Sequence, residues 1–183
     1  MLLRTLSYHQ VMPIYLDFIS VFGQQSRPRD LRFSGFREQT LFSGPLKGPV
    51  IPDLGRSGRQ FQLCYNLKSV SPPSSVDPMD AKKEWPIRQA AIHHQFDVLE
   101  GTTLWLITKG NLDLKDRIQD ITGKDGRPED RAFGTSEECF KSSLAVHLML
   151  CHWSTEEWRW YIQRLEAVIE EEVGDSRTGI LIS

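Results

Sequence analysis

The sequence predicts an α/β fold of the α+β kind, with a mixed β-sheet built around a central hairpin over residues 87–109 and helices packed on it. Three observations predict this hairpin. Side chains over residues 92–98 alternate between apolar and polar types, which is typical of a strand. Gly101 can take the positive φ that a short turn often needs. Residues 103–108 then return as a second segment rich in β-branched and aromatic side chains.

The alternation assigns each side chain of the hairpin to one face. One face of the first strand carries Ile92, His94, Phe96 and Val98, and the other carries His93, Gln95 and Asp97. The returning strand is apolar on both faces, with Leu104 and Leu106 on one and Trp105 and Ile107 on the other. Because a strand that is apolar on both sides is usually covered on both sides, the hairpin is predicted to lie in the middle of the sheet.

Length and composition predict one globular domain. The chain has 183 residues, of which 39% are apolar and 25% charged, and we expect one domain over residues 1–173 followed by an unstructured tail, 174–183. The net charge of −2 gives no basic surface for nucleic acid. Three scattered cysteines predict reduced thiols rather than a disulfide framework.

The first half of the chain is predicted to contain one helix and two strands. Residues 7–22 show helical spacing, and we expect this helix to dock on the sheet. Residues 30–36 are a candidate short strand. Residues 60–70 alternate regularly, with Phe61, Leu63, Tyr65 and Leu67 against polar neighbours, which predicts one buried and one wetter face. The segments 39–59 and 71–84, which are rich in proline with glycine or serine, are expected to be loops.

The second half is predicted to be helical. A short helix is expected around residues 114–121, and a charged loop over 123–134. Thr135 and Glu138 have the spacing of a capping box, so a helix should begin there. Its buried face is expected to carry Phe140, Leu144, Leu148 and Cys151. Ser154 and Glu157 repeat the spacing, which predicts a last helix that ends in an acidic run at Glu170, Glu171 and Glu172.

No combination of residues points to catalysis. His93 and His94 are neighbours on a strand, so they point to opposite faces and cannot converge on one ion without a bulge. We expect His94 to be a hydrogen-bonded core residue and His93 to make solvated or cross-strand contacts. His147 and Cys151 could supply two zinc ligands, but zinc usually needs three or four. Cys151 is expected to be buried. We therefore predict that the chain is not an enzyme.

The glycine-rich stretch 55–59 resembles a phosphate-binding loop only in composition. No Lys-Ser or Lys-Thr pair follows it, and no helix pattern opens behind it. A turn that leads into the next strand is the preferred interpretation. Asp97 and Glu100 flank another turn, where solvated carboxylates are common.

Two groups near the C-terminus are candidates for binding. Weak candidates for metal ligands are the oxygen-bearing residues Glu170, Glu171, Glu172 and Asp175. Candidates for an interaction surface are the clustered aromatic residues Trp158, Trp160 and Tyr161, which occupy more than one face of a helix.

Several segments, taken in order, resemble one protein family. They are YHQVMPIYLDFISVFG, DLRFSGF, LGRSGRQFQLCYNLKSV, WPIRQAAIHHQFDVLEGTTLWLITKGN and SSLAVHLMLCHWSTEEWRWYIQRLE. Together they cover roughly residues 6–172 and resemble the CorA-like transporter domain of filamentous-fungal proteins. In that family this region looks like the cytosolic part of a CorA-type magnesium transporter, ahead of a long helix and two membrane spans.

The resemblance implies a cytosolic domain with a regulatory or interaction role. The Gly-Met-Asn pore motif of CorA proteins is absent, and the chain has no apolar run of about 20 residues, so we expect no membrane insertion and no ion conduction by this chain alone. The implied partners are a membrane-spanning module and further copies of the chain. No cofactor is expected, and Mg²⁺ is the ion to test. The alternative is a stand-alone interaction module that uses the last helix.

Overall fold

The computed structural model describes residues 1–22, 34–42, 47–72, 85–109 and 113–180, without the side chains of Lys109 and residues 175–180. The fold is α+β. The elements are α1 (Leu2–Tyr8), α2 (Tyr15–Ser20), β1 (Phe36–Leu41), a 3-10 turn (Pro52–Leu54), β2 (Gln60–Val70), β3 (Ile87–Asp97), β4 (Thr103–Lys109), α3 (Asp113–Thr122), α4 (Ser136–Thr155) and α5 (Trp158–Ile180).

The chain divides into two compact units. The first comprises Met1–Leu67 and Gln89–Cys151. It contains α1, α2, α3, β1 and β4 in full, together with most of β2, β3 and α4. The second comprises Lys68–Arg88 and His152–Ser183, and it contains α5.

The sheet is an antiparallel meander in the order β1-β2-β3-β4. Within the described residues the strands pair with their sequential neighbours and are antiparallel, whereas a mixed sheet was predicted. The predicted hairpin exists, and its register pairs Ile92 with Ile107 and Gln95 with Leu104. Of the two hairpin strands only β3 is interior, because β4 lies at the edge of the described sheet.

Two helices replace the single helix predicted over residues 7–22. The helix α1 begins earlier, at Leu2, and ends at Tyr8, and Gln10 then takes a positive φ of 52°. Pro13 cannot continue a helix, because it has no N–H and its ring clashes with the carbonyl four residues before it. The chain therefore turns and starts α2 at Tyr15.

The predicted docking of this segment on the sheet is confirmed. The hydroxyl of Tyr15 donates toward the carbonyl oxygens of Ala91 at 3.3 Å and Leu106 at 3.2 Å, and it lies 2.9 Å from Oγ1 of Thr108. The buried cluster around Tyr15 consists of Leu6, Val11, Met12, Phe18, Cys64 and Ala91. The N-terminal helices thus cover one face of β2, β3 and β4.

The face of β2 that was predicted to be wetter is the more buried one. Its buried side chains are Gln60, Gln62, Cys64 and Asn66, whereas the apolar side chains of Phe61, Leu63, Tyr65 and Leu67 are half-buried. Polar side chains tolerate burial here because they hydrogen-bond to the N-terminal segment and to β3.

The helix α4 begins as predicted but presents a different face. Its buried residues are Ser142, Ser143, Val146, Leu150 and Trp153. Phe140, Leu144, Leu148 and Cys151, which were expected to be buried, are exposed. The apolar pattern misled because the buried side of α4 includes two serines, Ser142 and Ser143, whose small side chains also suit close packing on a sheet.

The predicted capping box at the start of α4 is confirmed. The N–H of Glu138 donates to Oγ1 of Thr135 at 3.2 Å, and the Glu138 carboxylate accepts from the N–H of Thr135 at 3.0 Å. These bonds satisfy donors that the first turn of a helix leaves without partners.

Replacing this cap is expected to weaken the helix measurably. The variant Thr135→Ala should lower the free energy of unfolding by about 1 kcal/mol, because it removes one of the capping acceptors. Urea unfolding followed by circular dichroism measures this. Thr155→Ala, at the other end of α4, is the control, and an equal loss in both variants would contradict the role of the cap.

Other boundaries differ from the predictions. The strand expected at 30–36 falls largely outside the described residues, and β1 starts only at Phe36, so it includes the first residues of the expected loop 39–59. The last helix starts at Trp158 rather than near Ser154, because Glu157 has a left-handed φ of 64° that interrupts the helix. The helix α5 then continues to Ile180 and includes most of the segment expected to be an unstructured tail.

Candidate functional site

A chain of hydrogen-bonded side chains joins α4 to the sheet within the first unit. The ring of His147 lies 2.6 Å from the hydroxyl of Tyr65 through Nδ1 and 2.9 Å from Nδ1 of His94 through Nε2. Nε2 of His94 in turn lies 3.0 Å from Oγ1 of Thr103. Both histidines therefore have both ring nitrogens engaged.

The direction of each hydrogen bond in this series of side chains follows from its last member, Thr103. The hydroxyl of Thr103 lies 3.4 Å from the carbonyl oxygen of Gln95, to which it can donate, and in that orientation it accepts from Nε2–H of His94. Nδ1 of His94 is then an acceptor and receives Nε2–H of His147. Nδ1 of His147 accepts from the hydroxyl of Tyr65. Both imidazoles are thus neutral Nε2–H tautomers, and all the bonds run in one direction.

Burial keeps these rings neutral. It lowers the pKa of His147 to about 4, and burial together with the neighbouring His147 and His93 lowers the pKa of His94 to about 2. The ring of Trp105 stacks on His94 with centroids 4.0 Å apart. The prediction that His94 is a hydrogen-bonded core residue is confirmed.

An apolar cavity lies next to the hydrogen-bonded side chains of His94 and His147. Its volume is about 300 Å³, and His94 and His147 form part of its wall. The rest of the lining is Glu38, Thr40, Phe42, Phe61, Leu63, Phe140, Ser143 and Leu144. This explains in part why Phe140 and Leu144 are exposed, since they line an open cavity rather than the core.

The opposite face of the sheet has a second polar cluster, centred on Gln62. Oε1 of Gln62 accepts from the N–H of Met12 at 3.1 Å and from Nε2 of His93 at 3.0 Å. An amide oxygen can only accept, so His93 is also an Nε2–H tautomer, and its buried Nδ1 has no partner among the described residues. Of the two contacts expected for His93, the cross-strand one is confirmed and the solvated one is wrong.

The histidines do not form a metal site in this arrangement. His93 and His94 lie on opposite faces, as predicted, and both nitrogens of His147 are used by Tyr65 and His94. Cys151 is exposed rather than buried, and the three cysteines are thiols that form no disulfide with one another. Among the residues that the structure describes, no three His, Cys, Asp or Glu side chains are grouped so as to hold a metal ion.

Asp97 is buried, contrary to the expectation of a solvated carboxylate. It is 1% exposed, and it accepts from the N–H and hydroxyl of Ser57 and from the N–H groups of Leu99 and Glu100. One carboxylate therefore fixes both the hairpin turn and the 55–58 turn. The preferred interpretation of residues 55–59 as a turn is confirmed, with Gly55 and Gly58 both at positive φ.

The aromatic cluster lies in the second unit, at the start of α5. Trp158 donates its indole N–H to the carbonyl oxygen of Ser154 at 2.8 Å, and its ring lies edge-on to Tyr161. Tyr161 also packs near Trp85. Trp160 points away and is 49% exposed, with the guanidinium of Arg159 over its ring. The three predicted interaction residues thus separate into two packed side chains and one exposed one.

An exposed apolar row continues along α5. It consists of Ile162, Leu165, Ile169 and Val173, which are between 37% and 61% exposed. The acidic residues Glu170, Glu171 and Glu172 are exposed on the same helix, and the side chain of Asp175 lies outside the described residues.

Sequence reasoning did not find Tyr65 and Thr103 as partners of the histidines, and it did not assign Arg56 or Gln95 any role. The available signal was the polar alternation in β2 and β3, where Gln60, Gln62, His93 and Gln95 recur every second residue. Such a row is typical of a solvated face, and only the position of the N-terminal helices shows that it is covered.

Comparison with known proteins identifies the family. The family model of the CorA-like transporters matches residues 1–176. No curated protein and no solved structure matches the chain. None of the helices in the described part of the chain has the length and apolar character that a bilayer crossing requires. The chain belongs to the family of CorA-like transporters.

Proposed function

We propose that this chain acts as a non-enzymatic, cytosolic domain of a CorA-like transporter, with a regulatory or interaction role, and that α5 provides its contact surface. The exposed apolar row on α5 carries the proposal. Its members, Ile162, Leu165, Ile169 and Val173, follow one another at intervals of three or four residues, which is the spacing of a helix–helix seam.

A second copy of α5 is the partner that this spacing favours. An apolar row with intervals of three and four residues is complementary to another copy of itself, so two or more chains can bury it together. Trp160, with its exposed ring, would extend the contact toward the start of the helix. The membrane-spanning module of longer relatives is the structure to which such an assembly would attach.

Self-association of the full chain tests this proposal. We expect sedimentation velocity to show reversible association that Ile169→Lys or Trp160→Ala weakens by at least about tenfold, because each removes apolar contact area. Gln163→Lys, at another exposed position of the same helix, is the control. A wild-type monomer at the highest soluble concentration, or equal association of all variants, would refute the proposal.

A regulatory response to divalent cations is the second part of the proposal. Glu170, Glu171 and Glu172 are exposed on α5, and carboxylate oxygens are the ligands that Mg²⁺ prefers. If Asp175 joins them, millimolar Mg²⁺ should raise the melting temperature, and the triple change to glutamine should abolish the shift. No shift with Mg²⁺, together with no effect of EDTA, would remove this part and leave the association untouched.

A further inference from the structure

The apolar cavity beside His94 and His147 is lined at its deepest part by buried residues. His94 is 0% exposed and Ser143 is 3% exposed. Half-buried side chains, among them Phe61 and Leu63, continue the wall, and exposed side chains from α4 and from the region of β1 surround the opening. The described lining contains no residue of α5, so a ligand here would be independent of the contact surface proposed for that helix.

The hydroxyl of Ser143 is a buried polar group without a hydrogen bond to the described part of the chain. The residue is 3% exposed, and its side chain contacts no donor or acceptor among the residues that the structure describes. Its Oγ is not completely enclosed by protein atoms, so its remaining surface faces the cavity. Because a buried hydroxyl is costly without a hydrogen bond, Ser143 indicates that a polar group from outside the chain binds there.

Water alone is a poor occupant for the deep part of this cavity. A buried water molecule needs roughly two to four polar partners. The ring nitrogens of His94 and His147 already hydrogen-bond to each other, to Tyr65 and to Thr103. The hydroxyl of Ser143 is then the one buried group in the described lining that can bind a further polar atom, and an occupant with a single polar group matches it.

Aromatic rings form much of the wall. Phe42, Phe61 and Phe140 line the cavity together with the imidazoles of His94 and His147. Neighbouring rings are nearly perpendicular, since the planes of Phe61 and Phe140 meet at 88° and those of Phe61 and His94 at 79°. Ring faces and ring edges are therefore both available for stacked and edge-on contacts with a further aromatic ring.

We propose that the cavity binds a neutral aromatic alcohol of one or two rings, whose hydroxyl pairs with Oγ of Ser143. A hydroxyl can both donate and accept, so it suits Ser143 whichever way the serine hydrogen points. The rings of the ligand pack against Phe61 and Phe140. Binding is reversible and non-covalent, and no bond of the ligand is made or broken.

Volume and charge define this class of ligand. A cavity of about 150 Å³ binds benzene in another protein, so the cavity of about 300 Å³ has room for two fused rings. Among the described lining residues Glu38 is the one with a charge at neutral pH, because the hydrogen bonds of His94 and His147 hold both rings in neutral forms. A carboxylate or phosphate would find no cation in this lining, and its transfer from water would be costly.

The test is binding of naphthol, naphthalene and naphthoate to the purified full chain at pH 7, followed by amide ¹H–¹⁵N chemical shifts. Naphthol should shift amides of α4 and β1 saturably and bind at least about fivefold more tightly than naphthalene, because one hydrogen bond distinguishes them. Naphthoate should bind at least about tenfold more weakly than naphthol. Equal affinity for naphthol and naphthalene, tighter binding of naphthoate, or no binding of naphthol would overturn the proposal.

Variants of α4 locate the site. Ser143→Ala should reduce the affinity for naphthol to that for naphthalene and leave naphthalene unchanged. Leu144→Asp, which places a charge in the apolar lining, should weaken both ligands by about tenfold. Leu148→Asp is the matched control, because Leu148 is exposed one turn further along and does not line the cavity. An equal loss in Leu148→Asp, or a retained preference for naphthol in Ser143→Ala, would refute the assignment, and the wild-type comparison decides if a variant does not fold.

Discussion

Acidification from pH 7 to pH 4 is expected to remove on the order of 9 kcal/mol of stability, because three buried histidines stay neutral in the folded protein. Burial lowers the pKa of His93 and His147 to about 4 and that of His94 to about 2. In the unfolded chain these rings titrate near pH 6.5. The unfolded state therefore binds more protons between about pH 6.5 and 4, and stability falls as the pH decreases through this window.

Urea unfolding at intervals between pH 7 and pH 4 measures this effect. Each histidine contributes up to about 1.4 kcal/mol per pH unit, so the slope near pH 5 should correspond to uptake of about three protons on unfolding. His147→Gln should reduce the uptake to about two. Constant stability between pH 7 and pH 5, or a slope that His147→Gln leaves unchanged, would contradict the burial of these rings.

Loss of the Asp97 carboxylate is expected to destabilise the protein by about 3 kcal/mol or more. The substitution Asp97→Ala leaves the N–H groups of Ser57, Leu99 and Glu100 without their acceptor, and hydrogen bonds to a charged group are worth about 1.5–3 kcal/mol each. It also loosens two turns at once. Asp97→Asn should be nearly as harmful, because its NH₂ group would face N–H donors.

The matched control is Glu100→Ala, since the side chain of Glu100 is exposed in the same turn. We expect it to change the free energy of unfolding by less than about 0.5 kcal/mol. Chemical denaturation of the three variants and the wild type at pH 7 measures the difference. A loss below about 1 kcal/mol for Asp97→Ala would mean that the carboxylate does not hold the two turns together.

Local patterns predicted the parts of the fold that local chemistry determines. The alternation of residues 92–98, the turn at Gly101 and the capping box at Thr135 depend on neighbours within a few residues, and the structure has all three. The expected docking of the first helical segment on the sheet also holds, although Pro13 divides that segment into two short helices.

The parts that could not be predicted depend on which surfaces meet. The row Gln60, Gln62, His93 and Gln95 is polar, so its pattern indicates solvent, yet the N-terminal helices cover it. On α4 the buried residues include Ser142, Ser143 and Val146, whereas Leu144 and Leu148 are exposed. Hydrophobic periodicity carries no information on a buried polar network, because its stability comes from partners distant in sequence.

The same limitation applies to the candidate sites. His147 was noted for its spacing from Cys151 on one helix, but its partners are Tyr65 and His94, which are 82 and 53 residues away. Arg56 lies in a turn whose composition predicts solvent exposure. It is nevertheless buried, and its guanidinium donates to the carbonyl oxygen of His9, which lies 47 residues earlier, between α1 and α2.

The burial of both faces of the sheet is the central claim, since the hydrogen bonds of His94 and His147 on one face and of His93 with Gln62 on the other both depend on it. Long-range ¹H–¹⁵N spectra of the histidine rings test it most directly. We predict that at pH 7 His93, His94 and His147 are neutral Nε2–H tautomers, as the hydrogen bonds of Gln62 and Thr103 require, and that they do not titrate above about pH 5. Mixed tautomers that titrate together near pH 6.5 would contradict it.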